Sequence, residues 1–191
     1  WAYSPQLDQE MAKVSTTGVE IPFESSHIRH RVLDDGLMEH TVQISQGTVP
    51  KYIVFFMVSP ERFAGDFTAS STRFNHNNIT HFSLLFDNEV MPNYPLKKHK
   101  YGDTYFFEEY YRRWLDVTDR LAGEEDSMME EPYVNSNFLI MENFDDLENK
   151  DGSLAVRLGF DAPLSKKLLL CWMPVTDKIL KFDRNLSAQV K

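Results

Sequence analysis

Most of this chain is a succession of short strand-like segments, and a single stretch interrupts them with a helical period. MEHTVQI alternates apolar and polar residues from Met38 to Ile44, as a strand with one solvated face does. KYIVFFMV from Lys51 to Val58 and ITHFSLLFD from Ile79 to Asp87 are continuous apolar runs, which point to strands covered on both faces. VEIPF near Val19, SNFLIME, SLAVRLGF, KKLLLCWM and KILKFD bring the set to about eight, separated by turn material such as NKDG and DAPLS. The strand-helix alternation of a parallel sheet is missing, so antiparallel pairing is predicted. Long excursions cover Ser59 to Asn78 and Pro92 to Asn135. The fold class that follows is all-β: an antiparallel jelly-roll β-sandwich with one long amphipathic helix inserted in a loop.

The interrupting stretch reads GDTYFFEEYYRRWLDVTDRLAG from Gly102. At about 100° per residue, Phe106, Phe107, Tyr110, Tyr111, Trp114, Leu115, Val117 and Leu121 share an arc of roughly 180°. Glu108, Glu109, Arg112, Arg113, Asp116, Asp119 and Arg120 fill the other arc, and only Tyr105 is out of place. Asp103 can accept from the free N–H groups of a first turn, and Gly123 can take the left-handed conformation past a last one. These signals predict a helix from about Asp103 to Ala122, with i,i+4 pairs Glu108–Arg112, Glu109–Arg113 and Asp116–Arg120. A helix on one sandwich surface needs an apolar stripe only a little over about 100° wide. The extra width predicts two contacts. Phe107, Tyr110, Trp114 and Leu121, near the middle of the arc, are assigned to packing the helix on its own sandwich. Phe106, Tyr111 and Leu115, toward its edges, are assigned to a neighbouring subunit or sister domain.

At 191 residues and 42% hydrophobic content, the chain is read as an N-terminal arm or linker over 1–18 and a single domain over 19–191. It begins at Trp1 with no leader before it, so either a leader has been removed or the chain is part of a longer one. No apolar run approaches the roughly 20 residues of a membrane span, so a soluble protein without a membrane partner is expected. A formal charge of -9 argues against a phosphate-binding surface, and no direct nucleic-acid contact is predicted. Cys171, the only cysteine, lies in the apolar run LLLCWM and is read as a buried small hydrophobe, which fits a reducing compartment.

Catalytic and metal chemistry find little support. A cupin-type iron or zinc site would draw on His76 or His81, but neither has a ligand at the spacing of neighbouring-strand coordination, and His27 and His30 are no better placed. In NFDDLENKDG, Leu147 occupies the third ligand position of a calcium loop. NIT at Asn78 and NLS at Asn185 match the glycosylation pattern, a short motif that occurs by chance. There is no G-x-S-x-G turn, no P-loop and no dinucleotide fingerprint. The expectation is a protein with no catalytic centre, no metal and no cofactor. Two rivals to a structural role stay open: a lectin-like or cytokine-like recognition module, and the cupin-type enzyme.

Read in order, QGTVPKYIVFFMV, NHNNITHFSLLFDNEVMPNYPL, GSLAVRLGFDAPLSKKLLLCWM and KILKFDRN resemble the C-terminal jelly roll of the double-jelly-roll major capsid proteins of Polinton (Maverick) transposable elements. These belong to the lineage of adenovirus hexon and virophage capsids. The likeness runs from about Ile28 to Asn185 and includes a proline-led strand at Pro50 to Val58, Phe63 and Gly65 in the next loop, and an acidic hairpin at Asp87 to Val90. It implies a structural capsid protein whose subunits form trimeric, pseudo-hexagonal capsomers of an icosahedral shell. It also implies self-association or a sister jelly roll as partner, assembly in the host cytoplasm or nucleus, and residence in the virion. The chain departs from the family in having one jelly roll's worth of residues where the family has two.

Overall fold

The computed structural model describes residues 19–66, 68, 70, 73–91, 94–101, 104–122, 137–144, 147, 150–182 and 188–190. They fall into two compact units, one from His27 to Pro174 and the other built on the two ends of the chain.

The larger unit is an antiparallel sandwich of two sheets. One sheet holds β2 (Arg29–Leu33), β12 (Leu168–Phe182, of which Leu168–Pro174 lie in this unit), β4 (Tyr52–Val58) and β10 (Ile140–Asn143), in that order. The other holds β3 (Glu39–Thr48), β11 (Asp151–Phe160) and β5 (Ile79–Phe86), with the short β6 (Glu89–Val90) and β7 (Leu96–Lys97) on the outer edge of β5. The pairs nest: β2 with β12, β3 with β11, β4 with β10, β5 with β6 and β7. A chain doubled on itself in this way and rolled across two sheets has jelly-roll connectivity.

The core lies between the sheets, where Phe55 of β4 meets Phe82 of β5 edge-on at 5.2 Å between ring centroids. Leu33, Ile53, Leu84, Leu154, Val156 and Leu158 are fully buried with them. Successive strand residues point to opposite faces, so Val58, Leu169 and Cys171 lie on the far side of the first sheet. There they form a second cluster with Phe56 and Phe74, and Phe74 belongs to the excursion after β4. The excursion thus covers the outer face, which is why KYIVFFMV reads as a continuous apolar run. It opens with α1 (Pro60–Phe63), capped by the Ser59 side chain.

The helix of the aromatic stretch, α2, runs Glu108–Ala122. The predicted start near Asp103 is corrected by this boundary. Residues Thr104–Phe106 form β9, which pairs with β8 (His99–Tyr101), so Tyr105 and Phe106 are strand residues. Threonine and aromatic side chains fit a ladder well, and the pairing satisfies backbone groups that a longer helix would have used. The first helical bond runs from the Tyr111 N–H to the Phe107 carbonyl at 2.9 Å, making Phe107 the capping residue. Asp103 and Gly123 lie outside the described residues. A second correction joins KKLLLCWM and KILKFD, which form one strand, β12, with no turn between them.

The smaller unit pairs β1 (Val19–Ser26) with Val175–Phe182 of β12, and β13 (Ala188–Val190) with Leu180–Phe182. Ile21, Leu180 and Val190 share one face of this ribbon, while Glu20 forms an ion pair with Lys181 on the other.

Candidate assembly surface

Helix α2 occupies the connection between the two sheets and packs against β10, at the edge of one, and β7, at the edge of the other. Its spacing explains the fit: Tyr110, Trp114 and Val117 recur at intervals of three and four and are buried, while Glu108, Arg112 and Asp116 are exposed. Phe107, Tyr110 and Trp114 are 1%, 0% and 6% exposed. Phe107, Tyr110 and Phe138 form a triangle of rings with centroids 5.1 to 5.7 Å apart. The Tyr110 hydroxyl donates to the Leu96 carbonyl at 3.0 Å, which ties the helix to β7, and its burial raises the phenol pKa.

Of the three residues assigned to a subunit contact, Tyr111 and Leu115 are half-buried, and the Tyr111 ring stacks on Trp114 at 5.9 Å with planes 12° apart. The side chains of Phe106 and Leu121 lie outside the described residues. Among the described residues, the large exposed apolar side chains lie off the helix: Ile21, Phe23, Ile179 and Val190 in the ribbon, and Ile28, Val32, Leu37, Met38, Phe63 and Val90 in the sandwich unit.

Among the described residues, one of the predicted ion pairs on the helix is seen. Arg112 bonds Glu108 one turn back. Glu109 instead accepts the Lys97 N–H at 2.8 Å and faces His99 at 3.5 Å, while Arg113 turns inward to Glu142 of β10. Both choices follow from docking, because groups at the helix margin reach polar partners on the strands beneath. Asp116–Arg120 cannot be compared, since the Arg120 side chain is outside the described residues. Glu142 was hidden from sequence reasoning inside the apolar run FLIME; an acidic residue within a buried strand was its only signal.

The histidines are engaged separately. His76 lies against the Phe107 ring at 4.8 Å and edge-on to Phe138 at 6.0 Å, and accepts the Asn78 N–H on Nδ1 at 3.0 Å. Burial, helped by the Lys98 charge, lowers its pKa. His81 lies on Gly159 of the neighbouring strand, His30 tilts against Phe63 at 4.7 Å, and His27 accepts from Arg29. His40 packs edge-on against Phe160, and burial lowers its pKa too. Among the described residues, no group of three His, Cys, Asp or Glu side chains is placed to hold a metal ion. Cys171 is fully buried, and burial pushes its thiol up to about 11, away from nucleophilic use. A cleft of about 320 Å³ at Asn77, Asn78 and the 162–166 turn adjoins a smaller one containing Ser59, Arg62 and Asn75. Together the two offer amides, hydroxyls and cations.

No protein-family model matches the chain, and no curated protein does. Solved structures do match. A chain of the PBCV-1 virus capsid, in a quasi-atomic model, superposes with a TM-score of 0.52 at 8% identity, over 96% of this chain and 54% of that one. A chain of the Sputnik virophage, solved at 3.5 Å by cryo-EM, superposes with a TM-score of 0.52 at 9% identity, over 90% of this chain and 39% of that one. The chain therefore spans about half the length of the first relative and less of the second. The likeness is one of fold: these strands are arranged as in viral capsid chains.

Proposed function

We propose that this chain is a structural capsid protein, a jelly-roll subunit that works by burying surface against copies of itself or a sister jelly roll. The observation that carries the reading is the superposition of nearly the whole chain, 96% of it, on about half of a PBCV-1 virus capsid chain. A second jelly roll is what the remaining half of such a chain would supply. The Polinton-type resemblance of the sequence supports trimeric, pseudo-hexagonal capsomers and a place in the virion. In this reading 1–18 is an arm or linker leading to the domain, and the chain has no catalytic role.

Helix α2 serves the assembly in two ways. Phe107, Tyr110, Trp114 and Leu121 hold it on the sandwich, and Phe106, Tyr111 and Leu115 meet the neighbour. Light scattering over a concentration series, followed by electron microscopy of any large species, tests the proposal. Closed trimers or shells are the expected outcome, alone or after mixing with a sister jelly-roll domain. A chain that stays monomeric under all conditions and binds no such domain would overturn it.

A further inference from the structure

Glu142 lies in β10 directly beneath α2, with only 2% of its surface exposed. The charged and titratable groups around it come from two elements. Helix α2 supplies Arg113, whose Nε is 3.5 Å from Glu142 Oε1, and Asp116, whose charge opposes ionisation. The segment before β7 supplies the Tyr94 phenol, with the Arg113 guanidinium 5.8 Å over its ring. Across the ladder, Glu142 faces Ile53 of β4, which brings no charge. Tyr110, next along the helix, already spends its hydroxyl on the Leu96 carbonyl.

This pocket is poorly resolved electrostatically. Neither Glu142 Oε1 nor the Tyr94 hydroxyl has a hydrogen-bond partner of good geometry among the described residues. An ionised carboxylate so deep in the protein needs more than one cation at the limit of ion-pair distance. A neutral carboxyl is better suited, because it avoids the cost of burying a charge, a cost that the Tyr94 O–H and the Arg113 guanidinium offset only in part. Undocking of α2 would admit water to Glu142 and let it ionise freely.

We propose that docking of α2 on the sandwich is proton-controlled, with Glu142 as the latch: binding of one proton to its carboxylate tightens the helix, and release of that proton loosens it. The direction agrees with the pKa of Glu142, which burial raises, while the Tyr94 contact and Arg113 pull it back and Asp116 adds to the rise. A group that binds its proton more tightly in the docked state favours docking at low pH. That advantage is complete below the ordinary glutamate value of 4.5 and is lost as the pH climbs through the raised one. The proposal concerns this chain alone and stands or falls independently of the capsid reading.

The test is hydrogen exchange of the α2 amides in the whole chain, referred to those of β11, together with ¹³C titration of the Glu142 carboxyl. Over the interval where Glu142 titrates, opening of α2 should grow with pH by up to about tenfold per unit, and Glu142→Gln should abolish the slope. The carboxyl midpoint should lie above 4.5. If Glu142→Gln does not fold, Arg113→Gln serves: losing the cation should move the midpoint higher still. A pH-independent helix in the unmodified protein, a slope that survives in Glu142→Gln, a midpoint at or below the ordinary value, or no upward move in Arg113→Gln would each overturn the proposal.

Discussion

Gly159 and His81 face one another across β11 and β5, and the imidazole leans over the place a side chain would take. A Cβ at Gly159 would lie 2.1 Å from Cε1 of His81 and 2.4 Å from its Nδ1. Glycine is required here by close approach, and Gly159→Ala must displace the ring at a cost of about 1 to 3 kcal/mol. Chemical denaturation of a double-mutant cycle checks this: in the His81→Ala background, Gly159→Ala should cost much less. His76 makes a second residue-scale prediction. Its pKa is lowered from 6.5 by burial first and by Lys98 second, so the folded protein prefers the neutral ring. The unfolded chain then binds the proton more readily, and His76 contributes stability above 6.5 that is lost as the pH falls below it. Thermal melts of His76→Gln at about pH 7.5 and pH 5 should show a destabilisation that shrinks on acidification. A gap of constant size would mean that the ring has the same pKa in the folded and the unfolded chain, contrary to the lowering by burial.

At the scale of elements, α2 is held by its buried rings more than by its exposed charges. Trp114 is 6% exposed and stacked by Tyr111, so Trp114→Ala removes a large ring from the helix-sandwich junction. Its expected cost is about 3 to 5 kcal/mol, measured by denaturant unfolding. Loss of the exposed Arg112–Glu108 pair should be much smaller, well under about 1 kcal/mol. The helical period was legible in the sequence because the wetted and dry arcs alternate cleanly after Glu108. Its beginning was not, because Phe106 and Phe107 satisfy a helical stripe as readily as a strand end. Competition for backbone hydrogen bonds by β8 decided between them.

For the whole molecule, the assembly reading predicts a separation of effects. Tyr111→Ser with Leu115→Ser changes half-buried residues and should weaken self-association while leaving the domain folded; Trp114→Ala should lower stability first. Paired light scattering and thermal melting distinguish the outcomes, and an edge pair that unfolds the chain as severely as Trp114→Ala would leave α2 a core element only. The sequence by itself determined the antiparallel strand pattern, the sites of ITHFSLLF and YIVFFMV, and the burial of Cys171, because hydrophobic periodicity is local and survives without knowledge of partners. Other features were settled only when distant segments met. The RHRVL strand carries too little apolar signal to be seen alone and forms because Leu168–Trp172 offers it a ladder. Arg113 leaves its predicted partner Glu109 because Glu142, far along the chain, lies buried beneath the helix. Side-chain pairing and the pKa of a buried acid depend on which surfaces exclude water together, and that is fixed by tertiary packing.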